Sequence, residues 1–537
     1  MGERHSRKVR IGRCSRCSRD NARMQRSSSP RGAESRWPGQ LAAIDMGSNS
    51  FRLEIGQLHG GRYRRVDYLK ETVRLGAGLD GAGFLDEASA GRGLECLARF
   101  ARRLDGFAPS QVRAVATQTL REARNRDAFL LRAQAVLGQP VEIVSGREEA
   151  RLIFAGVARL QPSTVPRLVI DIGGRSTEMI LGRGTRPRQA ESFQIGSVSL
   201  SMKYFPERRF TEKAFREAQV AAGAELEEAL RQFAPKHWRE ALGASGTVGA
   251  VSQVLAASGI TDGAITPAGL RWLMERCLEA GDADLLALPG LKDDRRAVIA
   301  GGVAILYTLA THFGIAELRP ARGALRQGVI FDLAARQAAE RRAGGHDLRD
   351  ASVAELQRRF EVDVAQADRV GRVALALLDG IGGHSVEARH ELAWAAALHE
   401  AGMMISHHDH HRHSAYLLDH VDAPGFSQSQ LRRLGQLVLG QRGGLRKVEP
   451  ALQSASFAHH LLCLRLAVIA CHAREDVEPD AVALRVVDGT PVVRLRAGWA
   501  DANPRALHLL RGEIDVWSKA GLAQQPRLVV TGDPVPA

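Results

Sequence analysis

The sequence predicts an α/β protein built from two matched lobes, then a mainly helical region and a small α/β C-terminal module. Three observations predict this. A strand–turn–strand unit occurs twice; strand-like and helix-like periodicities alternate through residues 40–338; and helical patterning dominates after a charged break at Glu340–Asp350.

The chain opens with a basic tail. Residues 1–39 carry eleven Arg and Lys against three acids, so they supply +8 of the formal net charge of +14 and leave about +6 for the body. The tail is rich in Ser and Arg and poor in large apolar residues, so disorder is expected. It has no apolar central stretch, which excludes a secretory signal. Cys14 and Cys17 form a lone C-x-x-C without the partners a zinc or redox site requires. The other cysteines are scattered, as in a reduced cytoplasmic protein. The longest nearly apolar run, Val298–Ala310, is too short to cross a bilayer, so no integral membrane association is expected. A moderately basic body fits an anionic partner; no nucleic acid is required.

The repeat follows. Ile44–Gly56 reads IDMGSNSFRLEIG and Ile170–Gly182 reads IDIGGRSTEMILG, aligned without a gap. Asp45 matches Asp171, Gly47 matches Gly173, Ser50 matches Ser176 and Gly56 matches Gly182. Each copy runs from an apolar strand through a turn of small residues into an alternating strand. One D-x-G-x-x-S turn reads most simply as a plain hairpin. Two in register favour a clamp in which backbone N–H groups and hydroxyls converge on phosphate. An aspartate at the end of each first strand would repel a bare phosphate. It makes sense with a divalent cation between them, and magnesium takes carboxylates, waters and phosphate oxygens together.

Two such hairpins resemble the actin-like ATPase superfamily. The chain more closely resembles the Ppx/GppA family of exopolyphosphatases and guanosine pentaphosphate phosphatases. The segments that carry this likeness are Ala116–Asn125, Val141–Arg151, Gly243–Thr247 and Gly323–Gly328, in the family's order and spacing. The resemblance covers about Gln40 to the C-terminus. It implies two actin-like (ribonuclease H-like) domains at 40–152 and 153–338, then a mainly helical HD-like domain at 339–480 and the small α/β module at 481–537.

The roles it implies attach to this sequence residue by residue. Glu149 is the expected general base and Arg121 a forked donor to phosphate, both in catalysis. Gly47, Ser48, Asn49 and Ser50 form the first phosphate hairpin. Gly173, Gly174, Ser176 and Thr177 form the second, and Gly246 and Thr247 shape a ligand-facing turn. Asp45, Asp171 and Glu178 are the expected magnesium residues, with a monovalent cation as a further candidate. Read without the family, Glu148 and Glu149 are equally first-turn acids of a helix from Glu148 through Leu160 capped by Ser145, and Arg121 is equally an exposed helix charge. The chain departs from the family's G-G-G-S-T pattern at Arg175, which would be strained if that position required positive φ.

Beyond the lobes, residues 84–105 and 126–137 within the first, and Ala367–Leu378 and Glu391–Met404 after them, have helical patterning. Where an HD phosphohydrolase has His-Asp, this chain has His399-Glu400, and His408-Asp409 falls in a polar loop. The expectation is a helical domain with a His-rich loop that helps hold a polyanion or meets a second subunit of a homodimer. Leu484–Val487, Asp488-Gly489 and Val492–Leu495 predict a terminal hairpin.

The resemblance implies an exopolyphosphatase that releases orthophosphate from inorganic polyphosphate. The same-class alternative is a guanosine pentaphosphate 5'-phosphohydrolase. The alternative of another class is a noncatalytic polyphosphate or nucleotide sensor.

Overall fold

A computed structural model describes residues 36–341, 347–520 and 525–531. The basic tail with Cys14 and Cys17 lies outside the described residues, apart from 36–39. Two five-stranded sheets dominate the first part. One contains β1 (Gln40–Met46), β2 (Phe51–His59), β3 (Arg62–Glu71), β4 (Val112–Ala116) and β5 (Val141–Ile143), in the order β3-β2-β1-β4-β5. The other contains β6 (Pro166–Ile172), β7 (Thr177–Arg183), β8 (Arg186–Phe193), β9 (Glu240–Ala244) and β10 (Arg319–Pro320), in the order β10-β9-β6-β7-β8. Both have the same topology: three antiparallel strands, then two parallel ones.

The duplication extends to irregularities. In each sheet the ladder to the third strand shifts register at the same place, before Gly56 and before Gly182. A side chain at either would collide with an aromatic ring, Tyr63 in the first sheet and Phe154 in the second. These glycines let helix and strand side chains close over the bulge.

The helix Gly146–Leu160 starts where expected, with Ser145 Oγ accepting from the Glu148 N–H at 3.2 Å. It packs on β7 and β8 and against the helix Leu325–Arg341, which returns to lie on β1 and β2. Leu41, Ala43, Leu152, Ile153, Val169, Ile180, Val329 and Ile330 form one apolar cluster drawn from both sheets and both helices. The two lobes therefore meet across a buried seam, which holds their hairpins face to face.

The C-terminal part is helical, with a three-stranded sheet of β11 (Val482–Val487), β12 (Thr490–Arg496) and β13 (Arg527–Thr531) on one continuous core. Asp488 and Gly489 both have positive φ, as a two-residue hairpin requires. His399 is buried with Nδ1 on the Ala396 carbonyl at 2.6 Å, and Glu400 pairs with Arg474 at 2.8 Å. His408 lies exposed beside Asp409. No described helix is long and apolar enough to cross a membrane.

The helical part docks on the lobes through Gly425. Its N–H donates to Glu148 Oε2 at 2.9 Å, and its carbonyl accepts from Arg336 at 2.7 Å. Arg151 holds Glu148 with two bonds and reaches Asp332, which also receives Arg113 and Arg336. Glu148 thus serves interdomain docking, while its neighbour faces the cleft.

Candidate active site

A cavity of about 400 Å³ opens between the lobes, lined by both hairpins, the first turn of the Gly146–Leu160 helix, the start of the helix Ser245–Ala257 and the loop before the Leu325–Arg341 helix. Asp45, Gly47, Ser48, Asn49, Ser50, Glu149, Asp171, Gly173, Gly174, Ser176, Gly246 and Thr247 all line it. The hairpins touch: a Cβ on Gly174 would sit 3.2 Å from Ser48 Cβ. Neither hairpin has a positive-φ residue, so its glycines serve close approach rather than left-handed turning. Arg175 is likewise unstrained, and the condition under which it would cost conformational energy does not arise.

Two polar atoms of the first hairpin, Asn49 Nδ2 and Ser50 Oγ, are buried with no protein partner. Buried polar groups are rarely left this way, and two in one phosphate-type turn mark a place for a polar ligand. Ser48 Oγ accepts from Thr119 Oγ1 at 2.8 Å, which leaves its own proton free to donate.

The carboxylates crowd one another. Asp171 is pushed up to about 7 by burial first, then by the charges of Glu149 and Asp45, against Arg52 and Arg326. Burial also raises Glu149, opposed by Arg121 and reinforced by Asp45. Glu178 is held well above the carboxylate range by burial, Glu149 and Asp171. Arg52 and Arg326 stand at 3.3 and 3.5 Å from Asp45 Oδ2.

Cations that the motifs did not reveal complete the site. Arg52, Arg65, Lys70, Arg295, Arg322 and Arg326 line the same cavity. Burial lowers Arg295, and the neighbouring Arg52 lowers it further; Lys70 is lowered by burial and by Arg295. Like-charged groups gathered in a cleft make a site for an anion. Arg52 carried a signal: it stands at the repeat position that Glu178 holds in the second copy. Arg326 lies inside the Gly323–Gly328 segment, and its direction became visible only with the fold.

Four expected residues stand differently. Thr177 is fully buried and donates to the Ile195 carbonyl at 2.6 Å, because successive strand residues face opposite ways and Ser176 takes the cavity side. Thr247 lines the cavity, yet its hydroxyl is spent on the Ile172 carbonyl at 2.9 Å. Arg121 does not line the cavity; it pairs with Glu149 Oε2 at 2.7 Å and donates to the Val144 carbonyl. It holds the expected base, and its Nη2 is buried without a protein partner. Glu178 is buried behind the cavity, accepting from Ser192 Oγ at 2.8 Å. Among the described residues no three His, Cys, Asp or Glu converge as a ready-made metal cage. Asp45, Asp171 and Glu178 do not assemble one, because Asp45 is turned into arginines and Glu178 into Ser192.

The description "Ppx/GppA phosphatase family" fits residues 55–337, more than half the chain, and "Ppx/GppA phosphatase, domain III" fits residues 348–512. The chain belongs to the Ppx/GppA phosphatase family. A relative in Photobacterium profundum, a guanosine-5'-triphosphate,3'-diphosphate pyrophosphatase, is 35% identical over 86% of this chain and 93% of its own length. The crystal structure of an exopolyphosphatase from Cytophaga hutchinsonii superposes with a TM-score of 0.50 at 23% identity, covering 55% of this chain and 97% of that one; this likeness concerns fold alone. The Aquifex aeolicus PPX-GPPA enzyme has 25% identity and a TM-score of 0.46, over 54% of this chain and 98% of its own. As a Ppx/GppA member the protein is a phosphoanhydride hydrolase with two actin-like lobes, a helical domain and a small sheet module.

Proposed function

We propose that the cleft hydrolyses the terminal phosphoanhydride bond of inorganic polyphosphate and releases orthophosphate. The observation that carries this reading is the charge pattern of one cavity: crowded carboxylates beside a cluster of arginines and a lysine. The cations bind a chain of phosphates, and the hairpins hold the terminal group through Ser48, Asn49, Ser50 and backbone N–H groups.

Glu149 takes the proton of a water that attacks the terminal phosphorus. A new P–O bond forms, the bridging P–O bond breaks, and the shortened chain leaves with the bridging oxygen. A carboxylate held above its usual range is a stronger base at neutral pH, and Arg121 fixes which oxygen faces the water. The donor set suits magnesium bound through one or two carboxylates plus substrate phosphates, with Asp171 as principal ligand and Glu178 behind it. Bound there, magnesium would neutralise phosphate charge as the leaving oxygen develops.

Tyr68 is the one aromatic side chain among the described cavity residues, which supports an all-phosphate chain over a stacked base. The second reading, guanosine pentaphosphate as substrate, is favoured by the nearly full-length Photobacterium relative. Orthophosphate release from purified protein, given each substrate at matched phosphate concentration, tests the ranking. Faster release from polyphosphate is expected. Equal or faster release from the nucleotide would overturn the order.

A further inference from the structure

Arg175 stands where the family's pattern has glycine, and its guanidinium reaches out of its own lobe. Nη2 and Nε bond Glu122 Oε2 at 2.7 and 3.0 Å, and Nη1 bonds the Gly76 carbonyl at 3.2 Å. Glu122 and Gly76 belong to the first lobe; Arg175 belongs to the second. Gly76 makes the approach possible, since a Cβ there would sit 3.0 Å from Arg175 Cδ.

Glu122 is not a terminus of this contact. Its other oxygen, Oε1, accepts from Gln118 Nε2 at 2.6 Å. Gln118 Oε1 accepts from Arg121 Nε at 2.8 Å, and Arg121 Nη1 holds Glu149 Oε2 at 2.7 Å. Gln118, Arg121 and Glu122 share the single helical turn Gln118–Glu122. The chain has a direction. Arg121 can only donate and Glu122 can only accept, so the Gln118 amide has one allowed orientation. Rotating it would set donor against donor and acceptor against acceptor.

We propose that Arg175 is an interdomain positioning residue, which latches the two lobes and, through Glu122, Gln118 and Arg121, sets the orientation of Glu149. The base is then aligned when the second hairpin has closed on the first, because Gln118, Arg121 and Glu122, the groups that hold it, stand on the first lobe. This rests on Glu149 acting as the base.

The test compares kcat, KM and the pH dependence of kcat/KM for phosphate release in four variants. Arg175→Gly is expected to lower kcat about tenfold or more, as small misplacements of a catalytic group do. Its thermal midpoint stays near wild type. Arg121 opposes the rise of the Glu149 carboxyl, so loosening it moves the acid limb of the profile to higher pH. Arg175→Lys keeps a cation on Glu122 and recovers most of kcat.

The charge swap, Arg175→Glu with Glu122→Arg, restores the pair but faces the Gln118 amino group with a donor. It is expected to restore lobe closure in solution scattering and to leave kcat low. Wild-type kcat and pH profile in Arg175→Gly would overturn the proposal. Full kcat in the swap would reduce Arg175 to a clasp and overturn the relay. The fourth variant, Glu149→Gln, separates the two failures: if it keeps normal turnover, the catalytic reading itself is wrong.

Discussion

Asp45 and Asp171 occupy the same place in two copies of one hairpin. Across the antiparallel ladder Asp45 faces Arg52, whereas Asp171 faces Glu178. The backbones match down to the bulge, and the charges are opposite. Facing opposite charges stabilise a sheet; facing like charges destabilise it. The first hairpin therefore satisfies its aspartate from within the protein. The second sets two buried carboxylates face to face: Asp171 rises to about 7 through burial first and then the charges of Glu149 and Asp45, and Asp171 in turn helps to raise Glu178. Duplication preserved the frame and changed the charge: arginines face the first aspartate, and a carboxylate faces the second.

Giving the second hairpin the charge of the first is expected to have the largest effect. Glu178→Arg is expected to lower phosphate release by at least about a hundredfold, because a buried cation replaces the carboxylate beside Asp171, the proposed magnesium ligand. Release would also no longer respond to added magnesium. A magnesium-dependent, active variant would show that the like-charge pair is dispensable.

Glu178→Gln is milder. It is expected to weaken magnesium dependence by roughly 10- to 100-fold, as loss of a group behind a ligand does. It should also raise the metal-free thermal midpoint by a few degrees, on the order expected for about 1 kcal/mol. Calorimetry with and without magnesium measures both effects, and a fall in the metal-free midpoint would contradict the repulsion.

On the other side, Arg52→Gln removes the partner of Asp45 and one cavity cation. The expected effect is a rise in KM of about tenfold, equivalent to ~1.4 kcal/mol for a charge-assisted bond, with a smaller change in kcat. A pure kcat defect would place Arg52 in the chemistry rather than in binding.

The smallest effect is on stability against pH. An Asp171 carboxyl at about 7 when folded and 3.8 when free binds more protons in the folded state between those values. Its contribution therefore falls as pH rises through that window, and below about 4 it makes no difference. Without divalent cation the wild-type midpoint should fall more steeply between pH 5 and 7.5 than that of Asp171→Asn. Parallel curves would refute the shift.

The repeat, the α/β class, the cap at Ser145 and the terminal hairpin were legible because each depends on residues close in sequence. The shared strand order of the two sheets was not, since it rests on pairings such as β1 with β4 and β6 with β9 across long connections. At the site, Asp45, Asp171 and the hairpin residues could be named from the repeat, and Glu149 from the family resemblance; all line the cavity. Thr177 was misplaced because a motif letter carries no strand parity, although alternation after Ser176 would have placed it inward. That Arg121 pairs with Glu149 had no local sign, because the two stand 28 residues apart on different helices. Lys70 and Arg295 had no local signature, because only lobe closure brings them together.

The proposed hydrolysis depends on Glu149 as the base. Glu149→Gln tests it most directly, through steady-state orthophosphate release from polyphosphate alongside equilibrium binding of the same substrate. Turnover is expected to fall by roughly 10²- to 10⁴-fold, the range of a lost general base, with binding retained. Normal turnover in that variant would contradict the claim.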